Sequence, residues 1–314
     1  MMHFRKVVVT GGAGFIGSHF VNRLRTECDE IVVFDNLSSG FESNIPEFVQ
    51  FYKGDIRRAQ DLETPMRGAS AVFHFAEFIP NVEGHVIRFS SSNPKEDLDV
   101  SVAGTLNVLE EARKNDSHFI LASSAAVYGS SAAPLAEIDS LAPISPYGVS
   151  KLCAEQYTLL YHRSYGLPVT IFRFFNVFGP RQRKYLMFDC LSKLKKDAKR
   201  IELLGTGKEK RDYVSIVDLI DEVLAVIQGS EKENLPIFNL GTGIGRTTTD
   251  VVKLIAELVG VQPELFFLGR MWRGTSDCLV ADMTKTQRYF HRPTGDFRLS
   301  LGELVSWFRV QYGL

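Results

Sequence analysis

The sequence predicts an α/β fold in which a doubly wound parallel sheet forms a large N-terminal domain, followed by a smaller C-terminal lobe. Up to about residue 174, short apolar runs alternate with longer amphipathic stretches. Such alternation is typical of a parallel sheet that helices cover on both faces. Farther along the chain the pattern is less regular, and loops with Gly, Pro and Arg alternate with helical stretches. We therefore expect a first domain at 1–174 and a second lobe at 175–314, with a segment around 212–240 returning to the first domain.

The individual elements follow from the length and the apolar content of each run. We predict buried strands at KVVVT (6–10), EIVVF (30–34), FVQFY (48–52), AVFHF (71–75), HFILA (118–122) and VTIFRF (169–174). Longer amphipathic patterns predict helices at 97–115 and 146–166, and another helix at 185–197 in the second lobe.

Composition excludes several classes of protein. The 314 residues include 36 Lys+Arg and 37 Asp+Glu, so the near-zero net charge does not suggest a nucleic acid as partner. No apolar stretch approaches the roughly 20 residues that a membrane span needs. Four scattered cysteines without CxxC pairs indicate reduced thiols in a cytoplasmic protein. The histidines are equally dispersed, so we expect no metal site.

A glycine-rich turn lies between the first predicted strand and the helical stretch after it. Gly12, Gly14 and Gly17 form GxGxxG, and Gly11 precedes them. Glycines let the backbone turn tightly and approach a pyrophosphate, whose charge the N-terminus of the following helix stabilises. The strand-turn-helix context predicts a Rossmann-type dinucleotide site.

The second predicted strand ends in an acid, Asp35, in the run EIVVFD. A carboxylate there can accept hydrogen bonds from both hydroxyls of an adenosine ribose, and it would repel a 2′-phosphate. The sequence therefore favours NAD over NADP as cofactor.

The stretch SPYGVSK predicts the start of a helix. Ser145 can cap it and Pro146 suits its first turn. Tyr147 and Lys151 then lie one turn apart on one face. This spacing alone also fits surface packing, with Lys151 paired to Glu155.

Taken together, these motifs resemble the extended short-chain dehydrogenase/reductase family, in particular its nucleotide-sugar epimerases and dehydratases. The resemblance covers nearly the whole chain. The matching segments are TGGAGFIG (10–17), DNLSSG (35–40), GDI (54–56), HFA (74–76), SSAAVYG (123–129), SPYGVSK (145–151), RFFNVFGPRQ (173–182), RDYVSIVDL (211–219) and NLGTG (239–243).

The resemblance implies which residues hold the cofactor and the substrate. The implied NAD-binding residues are Gly11, Gly14, Phe15, Ile16, Gly17, Asp35, Asn36, Ser38, Asp55, Ile56, Phe75, Ala76, Tyr147 and Lys151. The second lobe would bind a nucleotide-diphosphate sugar, and the implied substrate-binding residues are Ser124, Asn176, Arg181, Arg211, and Arg270 or Arg273.

The resemblance also implies a catalytic set of Ser124, Tyr147 and Lys151. Tyr147 would take a proton from a sugar hydroxyl while hydride leaves the adjacent carbon for the nicotinamide. A free tyrosine has a pKa of about 10, and the ammonium of Lys151 together with the nicotinamide charge would lower it. Ser124 would hydrogen-bond the same hydroxyl.

The residues after Ser124 favour one reaction of the family. Similar dehydratases carry Asp-Glu there and decarboxylases keep a Glu, whereas this chain has Ala125 and Ala126. Neither methyl group can move a proton, so we expect an epimerase that inverts C4 of an NDP-hexose through a 4-keto intermediate. A dehydratase, decarboxylase or reductase of the family, or a non-catalytic NAD-binding regulator, is the alternative.

Three departures from the family pattern concern the substrate site. Ser101 stands where the family often has Asn, and Glu77, where Ala is common, opens a stretch at 77–97 that is longer than usual. Trp272 stands where an Arg is expected, and Leu279 would lie near the sugar. The predicted helices at 97–115 and 146–165 resemble those that pair in a dimer interface of the family, so we expect a homodimer.

Overall fold

Seven strands form the central sheet of this computed structural model, which describes residues 3–78, 90–131, 134–230, 233, 235–271, 273–290 and 295–314. They are β1 (Phe4–Thr10), β2 (Cys28–Asp35), β3 (Gln50–Lys53), β4 (Ala71–His74), β5 (His118–Ser124), β6 (Val169–Phe174) and β10 (Ile237–Leu240). Their order across the sheet is β3-β2-β1-β4-β5-β6-β10, and each pair of neighbours is parallel. The predicted Rossmann-type α/β fold is confirmed.

Helices cover both faces of this sheet. The helices of the described residues are α1 (Phe15–Arg23), α2 (Ala59–Met66), α3 (Pro94–Leu98), α4 (Thr105–Lys114), α5 (Pro146–Tyr165), α6 (Tyr185–Lys196), α7 (Ile216–Gly229), α8 (Thr248–Val259) and α9 (Phe297–Tyr312), of which α1 and α7 cover one face and α2, α4 and α5 the other. Side chains alternate across a strand, so Val7 and Val9 of β1 pack with α1 and α7, whereas Val8 packs with α2, α4 and α5. The sheet is therefore apolar on both faces, which is why its strands are continuous apolar runs.

The predicted helix at 97–115 is interrupted in the structure. Between α3 and α4 the chain forms a wide π-helical turn over Asp99–Gly104. The hydroxyl of Thr105 donates to the carbonyl of Ser101 at 2.7 Å, and Gly104 packs so tightly on Ile56 that a Cβ would lie 2.6 Å from its Cδ1. Such π-turns often mark functional sites.

A second, smaller sheet belongs to the C-terminal half of the chain. Its strands are β7 (Asn176–Phe178), β9 (Lys210–Ser215), β11 (Gly245–Thr247) and β13 (Cys278–Leu279), with β9 paired to each of the others. A separate parallel pair joins β8 (Arg200–Leu203) to β12 (Glu264–Phe267). Buried side chains of α6, α8 and α9 form the core around these strands.

The chain crosses between the two sheets more than once. It leaves the central sheet after β6, forms β9 in the small sheet, and then returns through α7 to β10, which pairs with β6. The boundary between the lobes stays a prediction. None of the helices in the described part of the chain combines the length and apolar character that a membrane crossing requires.

Candidate active site

The glycine-rich turn joins β1 to α1 in a conformation that requires glycine. Gly11 has φ +71°, and a Cβ there would lie 2.7 Å from the backbone nitrogen of Ala76. At Gly17 a Cβ would lie 2.3 Å from the carbonyl oxygen of Gly11. Gly14 occupies the N-cap position of α1, and Phe15 and Ile16 form the first turn. The glycines of this turn therefore leave backbone groups, and not side chains, at the N-terminus of α1.

Asp35 ends β2 and is 8% exposed. Its Oδ2 accepts from the backbone N–H of Ala13 at 3.0 Å, and its Oδ1 accepts from that of Leu37 at 2.8 Å. Burial raises the pKa of this carboxyl, and the two backbone donors act against that rise. Asp35 thus links the glycine turn to the segment after β2, while each oxygen can still accept from a ribose hydroxyl.

The next predicted cofactor residues lie beside Asp35. The Asn36 side chain accepts from the N–H of Ser38 at 2.9 Å and donates to Asp55 at 3.3 Å. Arg57 donates to Asp55 through Nε at 3.0 Å and through Nη2 at 2.6 Å, and these bonds lower the pKa of Asp55 to about 2. Ile56 is buried. Asp55, which Asn36 and Arg57 hold, and Ile56 therefore lie in an ordered segment next to the turn after β2.

The predicted cofactor residues come together at one edge of the sheet. Gly11, Asp35, Asp55 and Phe75 follow or end β1, β2, β3 and β4, and the carboxyl ends of parallel strands meet there. The glycine backbone at the N-terminus of α1 and the oxygens of Asp35, each of which retains acceptor capacity, fit the pyrophosphate and the ribose of NAD. Within the described ranges, His, Cys, Asp and Glu side chains do not gather in a group that could hold a metal ion.

Ser124, Tyr147 and Lys151 also lie together. Ser124 ends β5, and α5 begins at Pro146 after Ser145, whose hydroxyl accepts from the N–H of Gly148 at 3.1 Å. The hydroxyls of Ser124 and Tyr147 hydrogen-bond. The ammonium of Lys151 lies 5.9 Å from the centre of the Tyr147 ring and donates to the carbonyl of Ala122 at 2.9 Å.

The pairing of Lys151 with Glu155, which the spacing along the helix suggested, is wrong. Glu155 is fully buried and binds Arg173 of β6, with 2.7 Å between Oε2 and Nη2 and 3.0 Å between Oε1 and Nε. Lys151 instead forms a buried ion pair with Glu77, which follows β4. Arg173 reaches Glu155 from the neighbouring strand, a contact that spacing along α5 could not reveal.

The electrostatics of Tyr147 differ from the sequence-based expectation. Burial raises its pKa, the negative charges of Glu77 and Asp97 raise it further, and the hydrogen bond from Ser124 acts in the opposite direction. The residues of the chain therefore favour the neutral phenol, because the Lys151 ammonium is paired with Glu77.

Two residues of this site were not predicted. Glu77 was recognised only as a departure from the family pattern, and nothing in the sequence indicated a contact with Lys151. Tyr185 begins α6 with φ +69°, and burial together with Tyr147 and Glu77 raises its pKa. A single tyrosine after an irregular loop carries no sequence signal for such a position.

The predicted substrate residues do not form a single group. Arg181 has φ +70° and donates to the hydroxyl of Ser18 on α1 at 3.1 Å, so it lies beside the glycine turn. Asn176 of β7 donates to the carbonyl of Asp212 at 3.2 Å. Arg211 of β9 is buried and donates to the carbonyls of Lys210 and Ser276, and burial lowers its pKa.

A cavity of about 340 Å³ lies near the loop that contains Arg270 and Arg273. Both arginines are exposed, and the carbonyl of Arg270 accepts from the N–H of Gly205 at 2.8 Å. Lys208 and Asp277 contribute charged groups to the cavity wall. Trp272, and residues 79–89 of the long stretch after Glu77, lie outside the described residues.

Comparison with known proteins assigns the chain to a family. Residues 7–241 match the profile of the NAD dependent epimerase/dehydratase family. This chain belongs to that family.

Relatives of this epimerase/dehydratase differ in the reaction that their names state. The UDP-glucose 4-epimerase of Streptomyces lividans is 32% identical, over 81% of this chain and 81% of the relative. The dTDP-glucose 4,6-dehydratase of Streptomyces antibioticus is 31% identical, over 96% and 92%. The crystal structure of Thermus thermophilus UDP-glucose 4-epimerase in complex with NAD superposes with a TM-score of 0.86 at 30% identity, covering 98% of this chain and 99% of that chain. Membership of the family therefore does not decide which reaction this chain catalyses. That decision depends on the residues of the site.

Proposed function

We propose that this family member is an NAD-dependent nucleotide-sugar epimerase, similar to UDP-glucose 4-epimerase, that inverts C4 of an NDP-hexose through a transient 4-keto intermediate. One observation carries the proposal: Ser124, Tyr147 and Lys151 lie together, whereas the turn after Ser124 presents only methyl groups. Ala125 and Ala126 begin a 3₁₀ turn, in which the N–H of Ala126 donates to the Ser124 hydroxyl at 3.2 Å. The similar dehydratases carry their acid and base at these two positions, where this chain has alanines.

The residues of the site support a simple proton cycle. Bound NAD supplies a hydride acceptor that later returns the hydride. Tyr147 takes the proton of the C4 hydroxyl and returns it after the keto sugar has rotated to present its other face to the cofactor. Ser124 holds that hydroxyl, and Lys151 stabilises the phenolate. No further acid or base is needed for inversion.

The substrate is inferred to be a nucleotide-diphosphate sugar that extends from Tyr147 toward the second lobe. Leu279 pairs in register with Arg211 and packs against the cluster that contains Ala125, which supports a place for Leu279 near the sugar. Asn176 and Arg211 would bind the diphosphate or the sugar, and Arg270 or Arg273 the phosphates. Arg181, beside the glycine turn, would contact the substrate only across the cofactor.

Two further inferences concern the assembly and location of the protein. We infer a homodimer in which α5 pairs with its copy, because Val149, Tyr157 and Leu160 expose 48%, 39% and 46% of their surface on this helix. A cytoplasmic location is supported by the four free cysteines, Cys28, Cys153, Cys190 and Cys278.

The function is tested by incubating the protein with NAD and a panel of nucleotide sugars labelled with deuterium at C4. We expect a product of unchanged mass with inverted C4, deuterium largely retained, and no net consumption of NAD. The Tyr147→Phe variant serves as the inactive control. Loss of one water, loss of carbon dioxide, or stoichiometric consumption of reduced cofactor, read by mass spectrometry and NMR, would instead identify a dehydratase, a decarboxylase or a reductase.

A further inference from the structure

A buried acidic residue, Glu77, contacts Lys151 of the proposed catalytic set. Glu77, in the segment after β4, forms an ion pair with Lys151, and the side chains of the two residues are 5% and 8% exposed. The other carboxylate oxygen of Glu77 accepts from the Ser101 hydroxyl and from the N–H of Phe78, the latter at 2.9 Å. Lys151 is thus held between Glu77 and the carbonyl of Ala122. An ammonium buried to this degree needs such a counter-charge.

The contact with Ser101 extends to a second buried acid. Asp97 of α3 is fully buried, accepts from the Ser150 hydroxyl at 2.6 Å, and lies 3.3 Å from the Ser101 hydroxyl. A hydroxyl has one hydrogen and can donate to only one carboxylate at a time. The Ser101 hydroxyl is closer to Glu77 and donates to it. Burial raises the pKa of Asp97 and the charge of Glu77 adds to that rise, whereas the hydrogen bonds from Ser150 and Ser90 and the charge of Lys151 lower it.

The other groups that face this pair carry little charge. On β4, His74 hydrogen-bonds Thr10 and Thr105, and burial lowers its pKa to about 3, so its ring is neutral. Tyr185 at the start of α6 has a raised pKa and is neutral as well. Among the described residues packed here, the charged groups are therefore Lys151, Glu77 and Asp97.

The two departures at positions 77 and 101 are consequently parts of one arrangement. Ser101 lies in the π-helical turn, where its hydroxyl reaches Glu77 on one side and Asp97 on the other. Of Glu77, Asp97 and Ser101, only Glu77 contacts Lys151. Asp97 and Ser101 fix the orientation of the Glu77 carboxylate, and Glu77 fixes the ammonium.

We propose that Glu77 is a positioning residue that holds Lys151 and whose negative charge sets the pH at which Tyr147 ionises. The proposal deepens the proposed function, on which it rests for the role of Tyr147 as proton acceptor. Because Glu77 offsets the charge of Lys151, it raises the pH at which the phenol ionises.

The charge effect is tested without any sugar, by ultraviolet titration of phenolate in the NAD-loaded protein. The wild type and each variant are also titrated with Tyr147→Phe added, and this second curve is subtracted from the first. The difference reports the ionisation of Tyr147 alone. In Glu77→Gln, we expect the midpoint to fall by about one pH unit or more, the scale of one nearby charge. Glu303→Gln, which removes an exposed carboxylate on α9, is the control: the midpoint should remain close to that of the wild type.

Several results would overturn the proposal. They are an unchanged midpoint in Glu77→Gln, an equal shift in Glu303→Gln, or phenols that stay neutral in both wild type and Glu77→Gln up to the pH of unfolding. If Glu77→Gln does not fold, Glu77→Ala takes its place with the same expectation.

The holding role is tested by a double-mutant cycle of thermal unfolding with Glu77→Gln and Lys151→Met. We expect the double variant to lose clearly less stability than the sum of the single losses, because each single change leaves a buried partner unpaired. Additive losses would overturn the ion pair. Neither measurement involves turnover, so a failure here is distinct from failure to form an epimerised product.

Discussion

At the scale of single residues, the proposed chemistry depends on the hydroxyl of Tyr147. Tyr147→Phe keeps the ring and its packing but removes the group that accepts the proton. Turnover should fall by a factor of about 10² to 10⁴, while folding and NAD binding are retained. Steady-state kinetics, with circular dichroism and NAD titration as controls, measure this. Near-normal turnover in the variant would show that another group is the base.

Glu222 on α7 is a second residue whose environment has a measurable consequence. It is 1% exposed, and neither carboxylate oxygen has a hydrogen-bond partner among the described residues. Burial raises its pKa well above the usual range, and Asp218 and Asp212 contribute to the rise. In the unfolded chain this acid ionises near pH 4.3, so the folded state binds the proton more tightly. Its contribution to stability therefore decreases as the pH rises above that value.

Replacing Glu222 should consequently stabilise the protein. Glu222→Met fills similar volume without a polar group, and we expect a higher melting temperature, with a larger gain at pH 8 than at pH 4. Thermal unfolding at both pH values measures the difference. Glu303→Met, at an exposed position on α9, is the control and should show no such dependence on pH. An equal gain at both pH values would mean that Glu222 is not protonated in the folded state.

At the scale of elements, the N-cap of α5 positions Tyr147, the proposed proton acceptor. Ser145→Ala removes the hydroxyl that accepts from Gly148, and Thr247→Ala removes the equivalent hydroxyl that accepts from Asp250 at the start of α8. Each change should lower the free energy of unfolding by about 1 kcal/mol. Only Ser145→Ala should also lower turnover, because Tyr147 lies in the first turn of its helix. Equal effects of both changes on turnover would argue against a positioning role for this cap.

Local sequence signals predicted the elements better than the contacts between them. The Ser-Pro start of α5 and the glycine turn before α1 depend on neighbouring residues, and both are present as expected. The π-helical turn at Asp99–Gly104 was not predicted, because apolar spacing does not distinguish a widened turn from a regular one. The partner of Lys151 could not be predicted either, since Glu77 and Lys151 meet only after β4 and α5 have docked.

At the scale of the whole molecule, the alternation of strands and helices predicted the central sheet because each strand is buried on both faces. The small sheet was not predicted, since β7, β11 and β13 are only two or three residues long and pair with β9 from distant parts of the chain. Asn176 and Arg211, two of the candidate substrate residues, lie on that sheet. Their proximity therefore required the structure, whereas the edge where the candidate cofactor residues meet could be predicted from consecutive motifs.

The assembly of two chains is the remaining property at this scale. Val149 and Leu160 lie about three turns apart on α5 and are both nearly half exposed, so burying them against a second copy would remove apolar surface from water. Light scattering at micromolar concentration should give twice the mass of one chain. Leu160→Glu should shift the protein toward the monomer, because a charge would be buried at the contact. Leu299→Glu on α9, where the leucine is 70% exposed, should leave the dimer intact. A monomeric wild-type protein would contradict the proposed interface, and a dimer that withstands Leu160→Glu would place it on another face.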